Sequence, residues 1–248
     1  MSSTVATGSG QPVGPQRVRA YVDGFNLYYG AHSQVDDALA AGASAISWKW
    51  LDVEGLCQRL IEKAWPGAKI VRLTYFTARV SRRSPADRAA DRQDVYLRAL
   101  GHREVRIVLG RFLAKTKIRP LVSNPKKFVE VHDTEEKGSD VNLATTLVAD
   151  YFLDRSEYDA ALVVSNDSDL AMPVALLRGQ GLPVGVLNPH RQPTPQLWPK
   201  NLALPHFGRR IEVADLLVSQ LPDPLTDKSG NVVVSRTGHQ VRRPPDWA

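Results

Sequence analysis

Strand-like and helix-like patterns of apolar and polar residues alternate along most of the chain. Arg17–Asp23 (RVRAYVD) reads as a buried strand ending at a turn with Gly24. Leu51–Trp65 places Val53, Leu56, Leu60, Ile61 and Ala64 at helical spacing. Lys69–Phe76 is β-branched and aromatic, hence a strand. Ser84 and Pro85 supply an N-cap and a first helical residue, so a helix is expected from there to Leu100, stopping at Gly101. Val105–Leu109 is the next strand. Arg111–Ile118 and Lys127–His132 are strand-like around a Pro/Asn/Ser loop, which suggests a basic hairpin arm over about 111–132. Asp140–Leu153 predicts a helix with Val141, Ala144, Leu147, Val148, Tyr151 and Phe152 on one face. Asp159–Ser165 is a continuous apolar run, as a central parallel strand requires. Leu170–Gln180 reads as a helix that tolerates Pro173 in its first turn. Leu182–Leu187 is a last strand, and Val213–Gln220 a short helix.

This alternation predicts an α/β fold, with a mostly parallel central sheet covered by helices on both faces. The organisation expected is a disordered tail over 1–16, a single domain over 17–220 and a Pro-rich polar, extended or disordered tail over 221–248. In such sheets ligands bind beyond the carboxyl ends of the strands, where strand order reverses. Two strands here run into acids: one ends at Asp23, the other leads into Asn166-Asp167-Ser168-Asp169. If those strands are neighbours, their ends lie about 4.8 Å apart. Asp23 and Asp167 would then face one small volume, with Asp169 at the mouth of the next helix and Asp140 opening another. Carboxylates so close repel, and a hard divalent cation with oxygen ligands would offset that cost. Each acid also has a plain structural role open to it: Asp23 as a strand-to-turn residue, and Asp140, Asp167 or Asp169 as helix caps.

Charge sharpens the picture. The net charge is +6. Between Arg79 and Arg119 stand 12 Lys and Arg against 4 Asp and Glu, so this stretch exceeds the surplus of the whole chain. That suits a polyanionic partner, although a solvated face gives the same pattern. One cysteine, Cys57, leaves no disulfide within the chain and no cysteine metal cage. No apolar run approaches the roughly 18 residues that span a bilayer, and Met1 to Gln16 does not read as a secretory signal. The expectation is a cytoplasmic protein without a membrane partner.

The segments YVDGFNLYYG (Tyr21–Gly30), WKWLD (Trp48–Asp52), EEKGSDVNLATTLVADYF (Glu135–Phe152), YDAALVVSNDSDLAMPV (Tyr158–Val174) and GLPVGVLNP (Gly181–Pro189) resemble the NYN (LabA-like) family of PIN-domain-like nucleases. A lone Asp-x-x-Asn means little. Asp-Gly-x-Asn, then Lys-Gly-x-Asp, then Ser-x-Asp-Ser-Asp, in that order, is specific. The resemblance implies a PIN-like, Rossmann-like three-layer sandwich with Mg²⁺ or Mn²⁺ among four acids, and cleavage of RNA. Position by position it assigns catalysis to Asp23, Asn26, Asp140, Asp167 and Asp169, with the four acids as metal ligands. Lys137 would hold a phosphate, or is simply exposed. Ser165 would orient a carboxylate or water, or cap its strand. Asn26 would sit beside the first acid, or cap a helix. Many relatives have Gly where Asn166 stands, and Asn tolerates the left-handed conformation a tight turn there would need.

Arg79, Arg82 and Arg83, directly after a strand, are the expected track for an RNA backbone. His32, His102, His132, His190, His206 and His239 read as structural or surface residues, although His132 could approach the site. Trp48 and Trp50 could stack on bases, but packing is favoured. The reading is a metal-dependent endoribonuclease acting on single-stranded or structured RNA. Two alternatives stay open: a non-catalytic RNA-binding module of the same fold, and a phosphoesterase acting on DNA or nucleotides. A homo-oligomer is compatible with all three.

Overall fold

The computed structural model describes residues 15–44, 46–80, 86–198, 203 and 205–247. Residues 1–14 of the tail expected over 1–16, the Ser84-Pro85 helix start, and Arg82 and Arg83 lie outside the described residues. Seven strands form one sheet: β1 Arg17–Asp23, β2 Lys69–Ala78, β3 Arg106–Leu121, β4 Asn124–Lys137, β5 Ala160–Val164, β6 Val184–Asn188 and β7 Phe207–Arg210. Their order is β4-β3-β2-β1-β5-β6-β7. All neighbours are parallel except β3 and β4. The helices are α1 Gly24–Ala40, α2 Val53–Glu62, α3 Ala89–His102, α4 Ser139–Leu153, α5 Ala171–Gly179 and α6 Val213–Leu217.

Alternation along β1 splits the core in two. Val18, Ala20 and Val22 face a cluster built with Leu27 of α1, Leu56 and Leu60 of α2, Leu97 and Leu100 of α3 and Leu216 of α6. Tyr21 faces the other layer, with Leu143 and Leu147 of α4 and Val174 and Leu177 of α5. The result is helix, sheet, helix, as the alternation predicts. All five residues of β5 are buried, which fits a strand covered on both faces. Arg19, on the α4 side of β1, is also buried. Its guanidinium lies 3.1 Å from Asp150 and 2.9 Å from Asp154, and 4.8 Å from the Tyr158 ring. The ion pairs and the ring offset the cost of burying that charge.

Several expectations are corrected. A 17-residue helix, α1, directly follows β1. The inward face of α4 is Ser139, Leu143, Leu147 and Asp150, whereas Val141 and Phe152 are exposed. The helix ending expected at Gly101 runs on to His102, and Glu104 adopts the left-handed conformation. The separate strands expected at 105–109 and 111–118 are one strand, β3, which pairs with β2 and then continues into an antiparallel hairpin with β4. β7 has no counterpart in the sequence reading. The segment from Leu221 onward is extended, but it is packed. Leu221 and Leu225 are buried, Val233 joins the same core, and Trp247 rests against it. Backbone bonds from Leu225 to Val241 and from Val233 to Leu225 hold it. Its sparse apolar residues are the ones that anchor, so average polarity concealed them. Trp48, Trp50 and Cys57 are core residues. Among the described residues no helix is long and apolar enough to cross a membrane.

If the C-terminal segment is part of the folded unit, Leu225→Ala is a core truncation. It should lower unfolding free energy by about 2–5 kcal/mol in a denaturant titration. A change within about 0.5 kcal/mol, the usual range for surface positions, would mean that the segment does not contribute.

Candidate active site

The chain crosses from one side of β1 to the other between β4 and β5, so strand order reverses at the β1–β5 boundary. Val22 pairs with Val164 there, and the residues just beyond that pair are Asp23 and Ser165. A cleft of about 410 Å³ opens at this point, lined among others by Asp23, Asn26, Glu136, Ser139, Asp140, Asp167 and His190. Three chain segments therefore deliver carboxylates to one volume: the ends of β1 and β5, and the junction of β4 with α4.

Local sequence explains each placement. Gly24 follows Asp23 because a Cβ there would lie 2.6 Å from the Tyr75 ring and 2.8 Å from the Phe76 carbonyl oxygen. Asp23 is the N-cap of α1: its Oδ1 accepts from the Asn26 amide at 3.0 Å. Its Oδ2 accepts from the Ser165 hydroxyl at 3.0 Å, and the Ser165 oxygen accepts from the Asp167 amide at 3.1 Å. Asp167 caps the short helical turn Ser168–Leu170 by accepting from the Asp169 amide at 2.9 Å. Asn26, inside α1 rather than capping it, accepts from the Asn166 amide at 2.8 Å. Gly138, with φ of 95°, turns β4 into α4 and so aims Asp140 at the cleft; a side chain would be strained in that conformation. Glu136 accepts from the Ser139 amide at 3.1 Å, supplying the cap that Gly138 lacks. For Asp23 and Asp167 the capping reading holds without excluding a place in the cleft, whereas among the described residues Asp140 caps nothing and Glu136 takes the α4 amide.

The electrostatics are unfavourable in a specific way. Burial pushes the Asp23 carboxyl from an ordinary value near 3.8 up to about 6. The Asn26 amide and Ser165 hydroxyl pull it down, while Asp140 and Asp167 push it further up. Burial also raises Asp140, reinforced by Asp167, Glu136 and Asp169. Burial lowers the His190 imidazole pKa, against a hydrogen bond with the Asn26 backbone. Ser139, a residue of the cleft wall, is buried, and among the described residues its hydroxyl has no hydrogen-bond partner.

Among the described residues no group of three or more His, Cys, Asp or Glu side chains is gathered closely enough to hold a metal ion by itself. The donor set is nonetheless all oxygen, multiply anionic and open. That fits Mg²⁺, which takes one or two carboxylates and keeps waters. It does not fit a closed, cage-like site.

Of the residues singled out from sequence, Asp23, Asn26, Asp140 and Asp167 line the cleft, and Ser165 lies buried beneath it. Asp169 is exposed beside them and acts electrostatically on Asp140. Lys137 is exposed at the hairpin base, outside the cleft lining. Arg79 does not reach the cleft; it pairs with Asp94 of α3. Asn166 has no positive φ. Instead its side chain accepts from the Thr194 amide at 2.7 Å and donates to the Gln192 carbonyl at 3.0 Å, pinning the following loop. Sequence reading missed Glu136, Ser139 and His190 as cleft residues, and with them Phe25, Tyr29 and Phe112. The acid lies in the quoted EEKGSD run, and the two α1 rings lie in YVDGFNLYYG, so the signal was present without a helix to arrange it.

Set against known families, residues 17–197 match the NYN domain, and the chain belongs to that family, whose fold is that of the PIN-like nucleases. A curated relative is 26% identical over 235 residues, covering 84% of this chain and 71% of its own length: 6-hydroxy-3-succinoylpyridine 3-monooxygenase HspA of Pseudomonas putida. A solved structure of a Vibrio parahaemolyticus protein of unknown function is similar at 16% identity and a TM-score of 0.41, covering 81% of this chain and 96% of that one.

The displaced Asp23 makes a testable demand on stability. Its folded pKa lies above its unfolded one, so its ionisation opposes folding. That penalty is absent below about pH 4, grows as pH rises to about 6, and is complete above it. Asp23→Asn should therefore stabilise the chelator-treated protein at pH 7.5 by up to about 3 kcal/mol, with little gain at pH 4. Thermal unfolding at the two pH values measures this, and an equal or negative effect at both would refute it.

Proposed function

We propose that this NYN-domain protein is a metal-dependent ribonuclease that hydrolyses phosphodiester bonds at the β1–β5 cleft. The observation that supports it most is the meeting of Asp23, Asp140 and Asp167 from three separate segments in one cleft, at a net electrostatic cost to Asp23. A protein rarely retains such a cost without a use at the site. The overall reaction adds water across a P–O bond: the hydroxyl goes to phosphorus and the proton to the departing oxygen.

Asp23, Asp140 and Asp167 would hold Mg²⁺ or Mn²⁺, with Asp169 adding charge from the rim. When bound, the ion lowers the pKa of a water and neutralises charge on the phosphoryl oxygens. The remaining roles belong to the chain. Ser165 fixes one Asp23 oxygen and the Asp167 backbone together. Asn26 ties α1 to the loop after β5, keeping the two acid-bearing strand ends in register. The buried Ser139 hydroxyl, without a partner among the described residues, would be a donor for a water in the cleft wall. Lys137, exposed at the hairpin base outside the cleft lining, would meet at most an outlying phosphate. RNA as the partner rests on the family and on the basic surplus of the chain, so binding should weaken with salt.

The aromatic part of the cleft leaves room for a second reading. The curated relative is named for a pyridine substrate, and Phe25, Tyr29 and Phe112 could flank a flat heterocycle as well as a base.

The deciding assay follows cutting of a labelled single-stranded RNA with Mn²⁺, with Mg²⁺ and with EDTA. Single-stranded DNA, nucleotides and 6-hydroxy-3-succinoylpyridine run in parallel. Metal-dependent cutting is expected, with Asp167→Asn slower by roughly 100-fold or more, the scale of losing a main electrostatic group. RNA binding without cutting under any metal would favour the non-catalytic module, and turnover of the pyridine alone would favour the relative's chemistry.

A further inference from the structure

Beside the carboxylates the same cleft has an apolar wall made of rings. Phe25 lies two residues after Asp23, and Tyr29 follows one helical turn later on the same face of α1. Their centroids are 6.3 Å apart and their planes differ by 22°. Phe112, on β3 where the hairpin departs, meets Phe25 edge-on at 5.5 Å and 81°. Tyr28 braces Tyr29 edge-on at 5.4 Å and is itself set against the buried Trp48 at 5.3 Å. The ladder therefore runs from the hairpin base, across the mouth of the acid cleft, to the loop before α2.

A ring ladder of this kind is more often core than binding surface. The exposures argue otherwise. Tyr29 is 61% exposed and Tyr28 37%, while Phe25 and Phe112 are half-buried. Tyr29 is thus a large ring with ring neighbours on two sides, yet open to solvent on a wall shared with the carboxylates. A pre-ordered ring loses little entropy when a partner stacks on it.

Resting on the ribonuclease reading, we infer that the α1 rings form a stacking platform, with Tyr29 receiving an unpaired base of the nucleotide whose phosphate enters the carboxylate cleft. Continuity of the two walls commits the platform to that occupant. A group anchored by phosphate at the acids and bearing a flat apolar ring within one nucleotide's reach is what the cleft fits. A base within a duplex is already stacked and cannot lie on Tyr29 without being unpaired. The platform therefore selects single-stranded segments, loops or ends over helical RNA. Such stacking is tolerant of sequence, because every base has a π-face.

The test separates this inference from catalysis by measuring binding. In the Asp167→Asn background with Mg²⁺, fluorescence anisotropy compares Tyr29, Tyr29→Ala and Tyr29→Phe on a single-stranded RNA octamer, an abasic oligomer of equal length and a duplex. Tyr29→Ala should weaken octamer binding roughly 5- to 100-fold, leave abasic and duplex binding unchanged, and be rescued by Tyr29→Phe. Equal losses on the octamer and the abasic oligomer, or no loss on either, would overturn the platform. Tyr29-dependent binding by a wild-type protein that cuts no RNA in any metal would overturn the ribonuclease reading and leave the platform standing.

Discussion

The burial of several carboxylates side by side at the β1–β5 boundary is the constraint around which the rest of the molecule is arranged. Asp23, Asp140 and Asp167 share a cleft, and the chain answers with oriented amides. The first turn of α1 donates to Asp23, the turn at Ser168–Leu170 donates to Asp167, and the start of α4 donates to Glu136. Helix N-termini carry partial positive charge and favour anions nearby. The compensation is incomplete. Two hydrogen bonds to Asp23 lose to burial and two neighbouring charges, and its carboxyl remains displaced to about 6.

The sheet order makes that gathering possible. β2 and β3 grow outward on one side of β1, and β5, β6 and β7 on the other. The two central strands therefore diverge in connection while remaining paired, and loops leave their ends in opposite directions. A crevice opens between the loops without any residue having to bulge. α4 arrives at the same point because the hairpin strand β4 returns to the sheet base before Gly138 turns it. The long hairpin is thus also the route by which a third carboxylate segment reaches the site.

Much of this was legible in the sequence. β5 announced itself as a continuous apolar run and β1 as a buried strand, and acids at the ends of those two strands identified the crevice once the strands were neighbours. Other features were hidden for physical reasons. α1 begins with Gly24-Phe25-Asn26, which lacks an acidic first turn, and its N-cap is the last strand residue, so strand and helix share Asp23 with no gap to mark the boundary. The α4 face was misassigned because Val141 and Phe152 are apolar but exposed, while the inward row includes Ser139 and Asp150, which are polar and buried. Arg79 looked available as a cation directly after a strand. Only the fold brings Asp94 of α3 beside it. The C-terminal segment was hidden by its average polarity, because a few widely spaced residues such as Leu225 do the anchoring.

The openness of the cleft bears on how the proposed chemistry would be controlled. A cage of three or four close ligands would neutralise the acids on its own and hold an ion whether or not substrate was present. Here one oxygen of Asp23 is occupied by Ser165 and the other by Asn26, while Asp169 stands at the rim, so protein ligands alone leave a hard cation with much of its shell as water. Phosphate oxygens completing that shell would strengthen ion binding, and by reciprocity the ion would strengthen phosphate binding. On the proposed function, a bound ion would offset the cost that burial imposes on the Asp23 carboxylate, and substrate phosphate would hold that ion more firmly. The destabilising cluster would then serve as the coupling between them, and the surrounding core, continuous on both faces of the sheet, carries the cost in the meantime.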